Sequence, residues 1–386
     1  MGAYLELIAS GRIDVSSLIG TVFPFEQAKD AYASLNSADK PLAVLLRYAV
    51  GDKAPSRVVT LRKAPAHDGL VRLSVIGAGS FVQGVHLPNM MRLRDQFRLR
   101  GVMARTGANA ATVAKSNDAS YATTDAEEIL KDPETDLVLI GTRHDLHGAL
   151  VLRALEAGKH VFVEKPLAIS EDELAAIEAF YARPRDQVLL TGFNRRFSPA
   201  ALAAKKFLAG CNSPMIVTYQ MNGGYIPMDS WLHGPQGAGR NIGEACHIYD
   251  LFNFLTGAHV TGVSAHAIDP QSRHWARNDN FVATVTYDDG SVCTLTYTAL
   301  GTSDYPKERM QIFAGGTVTG MNDFKSVTHF GRTAPGWKGA AADKGQMNEL
   351  KELGACLRQG GAWPISLAEQ LSATRISFEV EKQIAG

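Results

Sequence analysis

Three groups of residues have the types and spacing to do chemistry: a glycine loop suited to a dinucleotide, and a lysine and a histidine suited to moving a proton. Gly77-Ala78-Gly79-Ser80-Phe81-Val82 follows directly on the apolar run Val71 to Ile76. Glycines after a strand allow a tight turn and a close backbone approach. The helix that follows offers free N–H groups and a positive dipole end to a pyrophosphate. A GxG alone is commonly just a turn; its place after the first strand points to a dinucleotide, with Gly77, Gly79, Ser80 and Phe81 as its contacts. Lys165 stands just past the strand His160 to Glu164, where a doubly wound sheet puts its ligands. A partly desolvated lysine there can hydrogen-bond a reacting oxygen or relay its proton, and Pro166 fixes the backbone beside it. The third group is Glu244-Ala245-Cys246-His247-Ile248-Tyr249-Asp250. Read as helix, it puts Glu244 and His247 on one face at i,i+3. A carboxylate beside a histidine fixes its tautomer and raises its basicity. Lys165 and His247 are the expected acid–base pair, with Glu244 as orienter and Asp250, one turn on, near the substrate. The competing readings are a surface salt bridge for Lys165 and a capping or core role for His247.

Other positions fill in the ligands. The second strand ends Val102-Met103-Ala104-Arg105-Thr106, with no carboxylate for a ribose 2′-hydroxyl. Arg105 can take the 2′-phosphate of NADP instead, or be a solvated surface residue. The expected cofactor is therefore NAD(P)(H), leaning to NADP. Asn194, Arg195 and Arg196 follow the strand Val188–Thr191; Asn194 is assigned to the cofactor, and an arginine there can clamp a carboxylate or diphosphate of the substrate. Tyr225, Trp231 and Arg240 lie in or beside a Gly/Pro-rich loop. Aromatics there suit stacking on a sugar face, and equally suit core packing. Val82 occupies the third fingerprint position, usually Gly or Ala, so the helix–strand packing is expected to be shifted, with Gly84 taking part. No metal is expected.

These residues need elements to hold them. Apolar strands at Val71–Ile76, Arg98–Ala104, Leu137–Ile140, His160–Glu164 and Val188–Thr191 alternate with helical stretches from Ala108, Thr124, Asp145 and Ser170. The last three helix starts carry cap residues or precede an amphipathic run. That alternation predicts a Rossmann-type, doubly wound parallel sheet. After Gly192 it stops. Phe281 to Tyr287 and Val292 to Tyr297 read as a β-hairpin around Asp288-Asp289-Gly290-Ser291. Further strands at Ile216–Gln220, Val260–Ile268 and Met310–Phe313, with helices at 200–209, 244–255, 344–358 and 368–383, predict an α+β domain with a large, mostly antiparallel open sheet. Before all this, residues 4–9 and 25–35 read as helices and Leu42–Tyr48 as a strand. The expected division is 1–50, a linker 51–70, a dinucleotide domain 71–191, and a substrate and oligomerisation domain 192–386 with a C-terminal helix.

Composition narrows the class. Among 386 residues, Lys plus Arg and Asp plus Glu are 39 each, so no basic surplus favours nucleic acid. No apolar run reaches the roughly 18 residues that would span a bilayer. Cys211, Cys246, Cys293 and Cys356 are too scattered for a zinc ribbon or a disulfide framework. A cytoplasmic protein is expected, with no nucleic-acid or membrane partner; the small carbohydrate-like substrate expected of it follows from the resemblance described next.

Several motifs together carry a resemblance. Thr142-Arg143-His144-Asp145-Leu146-His147, Gly158-Lys159-His160-Val161-Phe162-Val163-Glu164-Lys165-Pro166 and Gly192-Phe193-Asn194-Arg195-Arg196-Phe197 join the glycine loop. With them, residues 71–386 resemble the Gfo/Idh/MocA oxidoreductase family. The resemblance implies hydride transfer between NAD(P) and a hydroxyl carbon of a sugar, cyclitol or nucleotide sugar. It implies that Thr142, Arg143, His144 and His147 lie beside the nicotinamide, with Glu164, Lys165 and Pro166. The family usually has Pro and Asn where Arg143 and His144 stand, and often an Asp where Gly243 stands. A redox-assisted glycoside hydrolase or lyase with tightly held NAD, and a ligand-binding regulator, share the fold and are the other classes. A homodimer or homotetramer is expected, because the open sheet would otherwise be exposed. Residues 1–50 are similar to the C-terminal end of medium-chain, zinc-type alcohol dehydrogenases (Leu5 to Val15, Phe23 to Ala28, Ala31-Tyr32). They hold no cysteine and no nucleotide loop, so no zinc chemistry is transferred with that likeness.

Overall fold

The computed structural model describes residues 2–37, 41–48, 57–62, 69–272 and 274–384. They form two units, Met1–Ser56 and Arg57–Gly386. In the first, α1 (Gly2–Ala9) precedes β1 (Ile19–Pro24), α2 (Ala28–Ser34) and β2 (Ala43–Arg47). The two strands pair in parallel, with Val22 opposite Leu45. The helix expected from Phe25 begins as a 3-10 turn, Phe25–Gln27. β1 was not expected: Gly20 and Pro24 break the apolar alternation that would announce a strand.

The second unit opens with a correction. Val58–Thr60, inside the segment read as a linker, is a strand (β3) that pairs antiparallel with β6 (Tyr121–Thr123); residues 51–56 and 63–68 of that segment lie outside the described residues. The sheet then runs β4 (Val71–Ile76), β5 (Phe97–Met103), β6, β7 (Leu137–Ile140), β8 (His160–Val163) and β9 (Leu189–Thr191), in the spatial order β3-β6-β5-β4-β7-β8-β9. All pairs but the first are parallel. Every residue of β7 is buried, which is why it reads as an unbroken apolar run. The crossovers are α3 (Leu87–Arg92), α4 (Gly107–Ser116), α5 (Ala126–Leu130), α6 (His147–Glu156) and α7 (Glu171–Phe180). The cap of α5 falls one residue later than the sequence suggests: Asp125, not Thr124, accepts from the backbone of Glu127 at 3.0 Å. Ser170 caps α7 as expected, accepting from Glu173 N at 3.3 Å.

Beyond α8 (Pro199–Leu208), β10 (Met215–Asn222) and α9 (Cys246–Thr256) lead into β11 (Val260–Ala267), β12 (Phe281–Tyr287), β13 (Val292–Thr298), β14 (Glu308–Ala314), β15 (Thr317–Asn322), β16 (Ser326–Phe330) and β17 (Trp337–Lys338). They build an eight-stranded sheet, β11-β12-β13-β10-β14-β15-β16-β17. Only β10 and β13 run parallel. The expected hairpin is β12–β13, with Phe281 opposite Tyr297. The chain then returns to the first sheet: α10 (Gln346–Gln359) buries Leu350 and Leu353 in the parallel-sheet core with Val71, Leu87 and Phe97. α11 (Leu367–Ile384) closes the unit against α9 and β11. Among the described residues no helix is long and apolar enough to cross a membrane.

Candidate active site

Both sheets bring loops to one cleft. In the parallel sheet the chain departs in opposite directions from β4 and β7, which opens a crevice at their C-terminal ends. Gly77 follows β4 with φ +94°, a region that favours glycine. A Cβ there would lie 2.7 Å from the backbone nitrogen of Thr142, which follows β7. Gly79, Ser80 and Phe81 are exposed at the start of the next helix. The loop thus leaves room for a pyrophosphate before the helix N-terminus, while the N–H groups of Gly77 and Ala78 are bonded to Met103 O and that of Gly79 to Gly77 O. Arg105 is exposed after β5.

The Val82 departure is accommodated differently from the expectation. Its Cγ2 would sit 2.3 Å from a Cβ at residue 141, so the missing side chain of Gly141, after β7, supplies the space. Gly84 takes no part and has no neighbour within 4 Å of an added Cβ among the described residues. Residues Val82–His86 form a π-helical turn. Pro88 has no N–H and its ring crowds the carbonyl of Gly84, so the regular ladder cannot run through it and the turn widens.

That turn delivers His86, which sequence reasoning missed. Its Nε2 donates to Glu164 Oε1 at 2.5 Å. Burial opposes charge on Glu164, yet His86 and the nearby Lys165 hold its carboxyl below the usual range. His147 Nδ1 donates to the carbonyl of Pro166 at 2.7 Å, linking the two loops expected to border the nicotinamide. The Lys165–Pro166 peptide is cis. His144 is buried and its Nδ1 donates to Gly237 O at 2.8 Å, leaving Nε2 as an acceptor. Burial, helped by the charge of Lys165, lowers the His144 pKa to about 3, so the ring is neutral. Arg143 bonds Gln236 and lies 5.1 Å over the Trp231 ring.

Lys165 Nζ donates to the carbonyl of Gly243 at 2.8 Å, and so reaches the helix that carries His247. That helix also opens with a π-helical turn, Asn241–Ala245, so the regular spacing assumed for Glu244 and His247 does not hold. His247 is 5% exposed, and its Nδ1 has no hydrogen-bond partner among the described residues. Burial, together with the charges of Arg195, Lys165, Lys344 and Lys307, drives its pKa well below the ordinary value. Glu244 does not orient it. Its Oε2 accepts from Arg240 Nη2 at 2.8 Å and Tyr297 OH at 2.5 Å, and its Oε1 from Lys307 Nζ at 3.3 Å. Burial works against its charge, but Lys307 and Arg240 hold the carboxyl far below the usual range.

Several assigned substrate contacts are corrected. Arg195 is buried and forks onto Glu308 at 2.9 and 3.1 Å. Arg196 forks onto the buried Asp250 at 3.0 and 2.6 Å and reaches Glu369 at 2.8 Å. Arg195, Arg196 and Asp250 are thus held in buried ion pairs. Burial still lifts the Asp250 carboxyl to about 6 despite Arg196. Arg240 is buried too, holding the carbonyls of Gly223 and Gly224 at 2.8 and 2.6 Å besides Glu244. Asn194 Nδ2 donates to Lys344 O at 2.7 Å. Tyr225 is exposed and stacks on His274, with centroids 4.5 Å apart. Trp231 meets His144 edge-on at 5.0 Å. Cys246 is buried, and burial pushes its thiol up to about 12. Tyr297, Lys307, Glu308 and Lys344 reach the site from the second sheet and the approach to α10, and no spacing rule ties them to His247.

Comparison with known proteins agrees with this layout. Residues 71–192 match the model of an oxidoreductase family's NAD-binding Rossmann fold, and residues 215–316 match its C-terminal alpha/beta domain, together more than half the chain. The chain is 29% identical over 228 residues to scyllo-inositol 2-dehydrogenase (NAD(+)) of Bacillus subtilis, covering 57% of this chain and 65% of that protein. It is 30% identical over 204 residues to levoglucosan dehydrogenase of Pseudarthrobacter phenanthrenivorans, covering 49% and 50%. The matches thus span between half and two thirds of these relatives. Among solved structures, a levoglucosan dehydrogenase in complex with NADH and levoglucosan superposes with TM-score 0.72 at 19% identity, over 82% of this chain and 97% of that one. A UDP-N-acetylglucosamine 3-dehydrogenase from Acidithiobacillus ferrooxidans gives 0.69 at 21%, over 82% and 98%. At such identities these two neighbours speak for the fold.

Proposed function

We propose how this chain, which belongs to the Gfo/Idh/MocA oxidoreductase family, uses its cleft: it transfers hydride between a nicotinamide dinucleotide and a secondary hydroxyl carbon of a sugar or cyclitol. The observation that carries this reading is the Lys165 Nζ to Gly243 O contact of 2.8 Å, which joins the end of β8 to the helix of His247 beside the glycine crevice. The dehydrogenases of scyllo-inositol and levoglucosan among its relatives support the substrate class.

Gly77, Gly79 and Ser80 hold the pyrophosphate, and Thr142, His147, Glu164 and Pro166 border the nicotinamide. The nicotinamide supplies the hydride acceptor or donor. The Lys165 ammonium binds the reacting oxygen and stabilises the alkoxide that develops on it. His247, kept neutral by burial and by the surrounding cations, has a ring nitrogen free for the hydroxyl proton. Exposed Arg105, with no carboxylate at that strand end, supports acceptance of the NADP 2′-phosphate. Among the described residues all four cysteines are free thiols, which supports a reducing compartment such as the cytoplasm. Ile216 and Phe313, paired on the outer face of the second sheet and exposed, support a homodimer or homotetramer. For residues 1–50, likeness to a medium-chain dehydrogenase tail rests on sequence resemblance alone.

The test is fluorescence titration with NADH and NADPH, followed by nicotinamide absorbance with a panel of cyclitols, free sugars and nucleotide sugars. Tight binding and turnover of one polyol class are expected. Binding of neither cofactor would overturn the reading.

A further inference from the structure

One acceptor close to Lys165 is unused. A carbonyl oxygen only accepts, so the 2.8 Å bond between His144 and Gly237 puts the ring proton on Nδ1 and leaves Nε2 a bare lone pair. Gly237 is fixed in turn. A bond from Gly239 N to Leu232 O, 2.8 Å, folds its segment back on itself, and Asp145 N reaches Gln236 O at 3.3 Å. The fold therefore sets the tautomer. Among the described residues Nε2 makes no hydrogen bond, yet it is not sealed from solvent. The rest of the ring is buried, with the Trp231 ring edge-on to it. Gly243 gives it room: Cε1 lies 2.9 Å from where a Cβ at position 243 would stand. The carbonyl of the same Gly243 holds Lys165 Nζ at 2.8 Å. Burial and the charge of Lys165 keep the ring neutral, so Nε2 can accept and cannot donate.

An open acceptor on a largely buried ring favours a ligand that brings a donor, and penalises one that leaves it unpaired. A carboxylate has no hydrogen to give; a hydroxyl has. Lys165 and His144 meet at one residue, Gly243, so the two ligand oxygens they hold must be close neighbours. Hydroxyls on adjacent carbons satisfy that. From the geometry we infer that His144 selects the substrate: its Nε2 accepts from a hydroxyl on the carbon next to the reacting one, so the cleft takes vicinal diols. The inference rests on the hydride-transfer reading above and deepens it.

The test measures binding apart from turnover. The protein saturated with NADH is titrated calorimetrically with trans-1,2-cyclohexanediol and trans-1,4-cyclohexanediol. These probes carry the same groups and differ in where the second hydroxyl stands. The 1,2-diol is expected to bind about tenfold more tightly, the scale of one hydrogen bond to a buried acceptor. His144→Phe should level the two. His144→Gln, whose amide offers a donor for Gly237 and an acceptor for the ligand, should restore part of the preference. Equal binding of the diols by the parent, a preference that survives in His144→Phe, or binding of neither diol would each overturn the inference. NADH is also compared with its reduced 3-acetylpyridine analogue, which lacks the carboxamide N–H. A preference for NADH that disappears in His144→Phe would give Nε2 to the cofactor and likewise overturn it. Preferential binding of the 1,2-diol without nicotinamide turnover would instead count against the hydride-transfer reading and leave the diol preference standing.

Discussion

The imidazole of His144 and the absent side chain of Gly243 fit each other: a Cβ at position 243 would meet His144 Cε1 at 2.9 Å and Nδ1 at 3.2 Å. The loop after β7 and the helix of His247 meet at this pair. The resemblance leads one to expect an Asn and an Asp at these places, and both have changed. Gly243→Ala should destabilise the protein by about 1–3 kcal/mol, as overpacking does. The double variant Gly243→Ala with His144→Ala should recover much of it. Urea unfolding of the four forms gives the coupling; simple additivity would show that the pair does not interact.

The glycine crevice makes a second prediction. Gly77→Ala places a methyl against Thr142 N in a left-handed backbone region. NADH affinity should fall about tenfold or more, with a stability loss on the order of 1–3 kcal/mol. Gly141→Ala should be similarly harmful through Val82, and Val82→Ala should rescue it. Fluorescence titration and thermal unfolding check both.

Lys165 donates to one backbone carbonyl, and without it Glu164 keeps its hydrogen bond to His86. Lys165→Ala should leave folding and NADH binding near those of the parent while turnover falls by about a hundredfold to ten-thousandfold. Rapid-mixing absorbance at the nicotinamide band reads the loss. Near-normal turnover would remove Lys165 from the chemistry.

The Glu308 cluster gives a pH dependence. Burial opposes its charge, but Arg195 and Lys344 hold its pKa down to about 2, against 4.5 for an ordinary glutamate. A depressed folded-state value stabilises the protein fully above the unfolded value and less as pH falls toward the folded one. Glu308→Gln should cost about 3–5 kcal/mol at neutral pH, since it leaves buried cations unpaired. The gap to the parent should persist down to about pH 5 and then narrow toward pH 2. Urea unfolding across that range measures it, and a gap constant with pH would refute the ion-pair account.

Much of the first sheet was legible because its central strands are buried on both faces and three of its helices, α4, α5 and α7, begin with side-chain caps. β7 lies where its apolar run ends, and Ser170 caps where its spacing to Glu173 says it should. The later strands β15 to β17 escaped because Thr, Gly and Ser dilute their alternation. β3 escaped because three residues carry no period. In the site, local motifs located Gly77, Lys165 and His247, while His86 went unseen because a π-helical turn, not a regular helix, aims it at Glu164.

The sequence by itself determined the nucleotide crevice, the strand-end lysine and the helix of the histidine, because each depends on residues near one another in the chain. Only the tertiary structure decided which charges are spent. Arg195 meets Glu308 across 113 residues, and Arg196 meets Asp250 across 54, so both arginines are drawn into buried ion pairs. Glu244 likewise turns from His247 to Arg240, Tyr297 and Lys307. Ion pairing in a low-dielectric interior is set by distance in space, and spacing along the chain does not encode it.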